Sequence, residues 1–83
     1  MDVIKYHAED EVHFGLLVKT TPKKVHVLLI GAKLAVQKLP IAEMKYITVL
    51  DNYKVSKVKD QMRRIAKDKH LKLSAETKGA LRR

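Results

Sequence analysis

Cysteine and tryptophan are absent from this 83-residue chain. Without cysteine there are no disulfides and no thiolate zinc sites, a composition that fits a reducing cytoplasm. The aromatic set is one Phe and three Tyr. That is thin for a cage around a methylated cation, which needs three or four converging rings. Phe14 is expected in the core, and Tyr6 and Tyr46 on strand surfaces, so base stacking ranks behind backbone contact. With three glycines there is no Gly-rich phosphate loop, and neither a nucleophile elbow nor HExxH is present. Ser56 and Ser74 have no base nearby in sequence, and a chain this short has little room for a substrate pocket. The expected protein is not an enzyme and carries no cofactor. No run approaches the roughly 18 apolar residues that cross a bilayer. Met1-Asp2-Val3-Ile4-Lys5 lacks the basic start and apolar run of a signal peptide. The expectation is therefore a soluble cytoplasmic protein, nucleoid-associated if it binds DNA.

What the chain does have is charge, unevenly spread. Residues 1–53 hold seven Lys against six Asp/Glu; residues 54–83 hold eleven Lys/Arg against three Asp/Glu. Nearly all of the +9 net charge therefore lies in the last thirty residues. Solubility alone asks for no such segregation, whereas a polyanion binder needs a dense local positive field.

The period of the apolar residues changes at the same point. The first half reads as five short strands: Val3–Tyr6, Val12–Thr20, Val25–Ile30, Lys33–Leu39 and Lys45–Leu50. His7–Glu11 reads as an acidic loop. Thr21-Pro22-Lys23-Lys24 reads as a turn, because proline presets φ for a first central position. Gly15 inside the second strand marks a bulge or sharp bend. Pro40–Met44 suits a single 3₁₀ turn. A tight hairpin at Thr21–Lys24 sets Val18 opposite Val27, Leu16 opposite Leu29, Leu17 opposite Leu28 and Lys19 opposite His26. This register puts Leu17 and Leu28 together on a second face, covered by the C-terminal helix or open to a partner.

From residue 54 the period is helical. Val55, Val58, Met62, Ile65 and Ala66 form one stripe about 100° wide, with Lys57, Arg64 and Lys67 opposite. Asp60 stands four residues before Arg64, a favourable pair. Lys69 returns to the stripe, so the helix is expected to stop near there, and Leu71 and Leu73 to plug back onto the body. Ser74 is placed to cap a short terminal helix over 75–82.

The segments Phe14-Gly15-Leu16-Leu17-Val18-Lys19, Thr21-Pro22-Lys23-Lys24, Val25-His26-Val27-Leu28-Leu29 and Pro40-Ile41-Ala42-Glu43-Met44 resemble the SH3-like small-barrel superfamily, which includes the KOW, Tudor and integrase C-terminal types. The resemblance covers residues 1–51 and lies in strand lengths and breaks. It implies a five-stranded barrel over 1–53; the helical pattern lies outside it, so the expected fold is mostly β with C-terminal α structure, a basic helical extension over 54–83 packed on the barrel. Such barrels bind nucleic acids, proteins or methylated ligands, so the fold alone decides little.

The candidate nucleic-acid-binding residues are Lys57, Lys59, Arg63, Arg64, Lys67, Lys69, Lys72, Lys78, Arg82 and Arg83. Long cationic side chains reach phosphates with little demand on exact spacing. The expected partner is nucleic acid, DNA ahead of RNA, with weak sequence readout. The alternative is an adaptor docking on an acidic protein surface, and the Val55–Ala66 stripe allows a homodimer. A membrane-surface role ranks low for so narrow a stripe without Trp or Phe. Glu9-Asp10-Glu11 beside Glu43 or Asp2 would form a cation or catalytic site, but reads first as a solvated loop. His7, His13, His26 and His70 show no helical metal spacing, although His13 and His26 are candidates for neighbours across the hairpin, and no metal is expected.

Overall fold

A computed structural model describes residues 1–31 and 33–82. The chain runs β1 (Asp2–Ala8), β2 (Glu11–Thr20), β3 (Lys24–Leu29), β4 (Val36–Pro40), a 3₁₀ turn (Ile41–Tyr46), β5 (Ile47–Val49), α1 (Val55–Asp68) and α2 (Ala75–Ala80). The five strands form one antiparallel sheet in the order β4-β3-β2-β1-β5. Consecutive hairpins make the first four strands, and the 3₁₀ turn carries the chain back so that β5 pairs with β1. The sheet is not closed into the expected barrel. β5 is three residues long and spends its pairing on β1, so β4 and β5 remain the two edges. Among the described residues no helix is long and apolar enough to cross a membrane.

Side chains alternate across a strand, and here both sides are apolar. One face presents Val3, Leu16 and Leu28, which are buried with Leu34, with Val58, Met62 and Ala66 of α1, and with Ala80 and Leu81 at the end of α2. The other face buries Ile4, Tyr6, Val25, Val27 and Leu29, with Leu17, Leu39 and Ile47 packed beside them. The 3₁₀ turn packs against β1 and β3. The helical stripe docks within the chain, on β1 and β2, while α2 docks on β4.

The β2–β3 register differs from the expected one. Lys19 does face His26, but Leu16 faces Leu28 and Leu17 faces Val27, because a bulge between Leu17 and Lys19 absorbs Val18. One unpaired residue moves every partner beyond it by one place. Leu17 and Leu28 therefore lie on opposite faces, Leu28 fully buried and Leu17 half-buried, and the shared Leu17/Leu28 surface does not form. Gly15, where the bulge was expected, is regularly paired with Leu29. Its lack of a side chain serves a close approach: a Cβ there would lie 2.1 Å from the Leu28 carbonyl oxygen. The hairpin turn closes as expected, with the Thr21 hydroxyl accepting from the Lys24 amide at 3.0 Å.

α1 ends where its pattern predicts, at C-cap Lys69. His70 takes a left-handed φ of 54°. The His70 amide then donates to Lys67 O at 3.2 Å and the Leu71 amide to Ala66 O at 2.9 Å, the paired bonds of a Schellman ending, which turns Leu71 back onto the core. Ser74 caps α2 by accepting from the Thr77 amide at 3.2 Å. Thr77 is fully buried, and its hydroxyl accepts from the Val36 amide at 3.3 Å, which fixes α2 to β4.

Two substitutions test these backbone constraints by thermal melts followed by circular dichroism. Gly15→Ala is expected to destabilise by about 2–3 kcal/mol, because β3 must move to admit the methyl. His70→Gly is expected to stabilise by about 1 kcal/mol, because glycine enters the left-handed region without the Cβ penalty. An unchanged melt for either removes the corresponding account.

Candidate nucleic-acid interface

Helical geometry sorts the cations of α1 into two groups. Lys57, Arg64 and Lys67 lie opposite the buried stripe and are exposed. At 1.5 Å of rise per residue, Arg64 stands about 10 Å and Lys67 about 15 Å along the axis from Lys57. Lys54 begins this ridge at the N-cap position. It makes no side-chain cap, and no acidic residue occupies the first turn. The start of α1 thus keeps unpaired amides and the positive end of the helix dipole beside two lysines.

Lys59 and Arg63 lie closer to the stripe and act inside the molecule. Lys59 Nζ donates to Arg82 O at 2.7 Å. Arg63 donates to Leu81 O and to the Asp60 carboxylate. Both cations therefore meet carbonyls at the end of α2, where backbone acceptors lack helical partners and the dipole is negative. Asp60 pairs with Arg63, three residues on, rather than with Arg64 as the sequence reading expected. That exchange leaves the Arg64 guanidinium unpaired among the described residues.

The remaining expected contacts spread around the C-terminal segment. Lys69 and Lys72 are exposed on the α1–α2 connection, Lys78 is exposed on α2, and Arg82 is exposed just beyond it. Arg83 lies outside the described residues. Only Lys57, Arg64 and Lys67 share one helical face, continued by Lys54.

Four of the nine acidic residues gather elsewhere. Glu9, Asp10, Glu11 and Glu43 line one depression of about 900 Å³ together with Tyr6 and Tyr46. It belongs to the side of the sheet that the 3₁₀ turn packs against, away from α1. Burial raises the Tyr6 hydroxyl above the ordinary tyrosine value, and the Glu43 carboxylate and then Tyr46 add to the effect. Lys45 Nζ sits 5.1 Å from the centre of the Tyr46 ring. The acidic turn is tighter than the predicted five-residue loop: β1 runs through Ala8, which pairs with Glu11, and Glu9 takes a φ of 49°. His13 is not the partner of His26. It faces Tyr6 across the sheet and contacts Glu11 at 3.2 Å, while His26 stands between Lys19 and Lys38. Among the described residues no group of three or more His, Cys, Asp or Glu is placed to hold a metal ion.

Sequence reasoning misplaced Tyr6, which is buried with Ile4 and Val25 rather than on a strand surface, and Phe14. Phe14 shares a strand face with Leu16, yet it is half exposed rather than in the core. α1 covers Leu16, while Phe14 lines an open groove with Tyr53, Val58 and Gln61 at the start of the helix. The alternation Phe14–Leu16 gives the face; only the docked position of α1 gives the exposure.

No protein-family model, curated protein or solved structure matches this chain.

The two classes of cation separate on substitution. Arg63→Ala is expected to lower stability by about 1 kcal/mol, through loss of a half-exposed charged hydrogen bond and of the α2 anchor. Arg64→Ala is expected to leave stability within about 0.5 kcal/mol. Equal melts for the two variants would remove the distinction.

Proposed function

We propose that this chain is a non-enzymatic nucleic-acid-binding protein that captures the phosphate backbone with the exposed face of α1. The observation that carries the reading is the division of labour along that helix. Lys59 and Arg63 are tied to the end of α2, while Lys57, Arg64 and Lys67 stand free on one face. Phosphates take such cations without requiring base contacts, so recognition is electrostatic and weakly sequence-specific. The strand order, with a 3₁₀ turn leading into a last strand paired to the first, supports the SH3-like resemblance; the helical extension then supplies the cations. DNA stands ahead of RNA in this reading. The adaptor alternative loses the Leu17/Leu28 surface on which it partly rested.

Fluorescence anisotropy against labelled duplex DNA, single-stranded DNA and duplex RNA, over a series of salt concentrations, tests the proposal. Replacing Lys57, Arg64 and Lys67 together by Ala is expected to weaken binding and to make the log K against log salt slope on duplex DNA shallower by about 2.7, at about 0.9 per phosphate contact. The melt is expected to stay unchanged, since none of the three is tied to the fold. An unaltered affinity and slope would overturn the proposal.

A further inference from the structure

The side of the sheet that carries α1 is only partly covered. Before the bulge, the even-numbered residues of β2 face the helix. Leu16 is fully buried there, but Phe14 and Val12 are 49% and 47% exposed. Together with Ile30, Val58 and Gln61, and with Tyr53 (55% exposed) ahead of α1, they line a groove of about 410 Å³. A second depression, of about 290 Å³, shares Tyr53, Val58 and Gln61 with the first and adds Lys54 and Lys57. Lys5 is the cross-strand partner of Phe14 and so stands on the same face. Among the described residues no carboxylate lines either depression.

We infer that this groove takes an unpaired nucleobase, and that the nucleic acid bound by the chain is single-stranded where it crosses the start of α1. The inference rests on the phosphate-capture reading above and specifies its ligand. Phe14 and Tyr53 offer aromatic faces to a base, and stacking of this kind tolerates any sequence. Lys5, Lys54 and Lys57 meet the flanking phosphates, and Arg64 and Lys67 continue the cationic track along the helix. In a duplex the base faces are already stacked on one another, so a duplex meets the ridge without filling the groove. An extended peptide is the weaker occupant. The groove's strand residues lie on β1 and β2, and the Phe14 and Val3 carbonyls already accept from the Ile30 and Leu50 amides at 2.8 Å, so the backbone at these two positions is not free to pair with a peptide. Lys54 and Lys57 at the groove's helical end attract anions.

The chain lacks tryptophan, so Phe14→Trp places one reporting indole in the groove. The probes are oligothymidylate and oligouridylate of about twelve nucleotides, within the usual site size of single-strand binders, a duplex of equal length, and a leucine-bearing polyglutamate peptide. Saturable quenching of the indole by the single strands, and none by the duplex at equal phosphate concentration, is the expected result. In the otherwise unsubstituted chain, Phe14→Leu and Tyr53→Leu are each expected to weaken single-strand binding about 5- to 100-fold. Duplex affinity and the salt slope stay unchanged in both. Melts establish that each variant is folded; if a leucine variant melts early, quenching of the Phe14→Trp chain decides. Single-strand affinity unchanged in both leucine variants, while the Lys57/Arg64/Lys67 alanine chain binds weakly, overturns base stacking and leaves phosphate capture standing. A response to the polyglutamate peptide alone overturns the inference in favour of an acidic peptide. No binding of any nucleic acid at low salt by the unsubstituted chain overturns both.

Discussion

Val27 and Leu28 are neighbours on one strand, point to opposite sides, and are both fully buried. The rest of the molecule follows from that constraint. A sheet of five strands with two apolar faces has to bury both of them. On one side the buried cluster is made wholly of strand residues, with the 3₁₀ turn packed against β1 and β3. On the other, α1 and α2 lay Met62, Ala66, Ala80 and Leu81 over Leu16 and Leu28. The C-terminal thirty residues are thus part of the core as well as the bearer of charge. α1 reconciles the two roles by angle: its buried and cationic faces are separated around the helix axis.

Much of this was legible in the residues. Alternating apolar positions, the Thr21–Lys24 turn, the Pro40 break, the 3–4 spacing from Val55 to Ala66 and the Ser74 cap each act within a few residues, and each appears where local chemistry puts it. The misses are nonlocal. The bulge at Val18 has no glycine to announce it; the glycine at position 15 answers instead to the nearness of the Leu28 carbonyl, which only the folded sheet creates. The choice of Arg63 over Arg64 as the partner of Asp60 depends on the end of α2, eighteen residues further on. Phe14 looked like core because its strand face is core; how far a docked helix reaches along that face is a tertiary fact.

The site shows the same division. Composition located the positive segment, and helical periodicity its outward face. Which cations are available was fixed by where the chain folds back: α2 ends against α1 and takes up Lys59 and Arg63 at its unpaired carbonyls. Charge counting treats all cations alike, whereas a helix terminus nearby turns some of them into structural donors.

The carboxylates of the β1–β2 turn and Glu43 lie on the side of the sheet away from α1, so charge is unevenly divided between the two sides. In the field of a polyanion such a body feels a torque, not only a pull. It rotates during approach so that α1 leads and the acidic depression trails, before any contact forms. Orientation is the step that usually slows protein association well below the diffusion limit. If the chain binds a polyanion as proposed, such turning removes part of that delay, and it does so with residues set away from the cationic face.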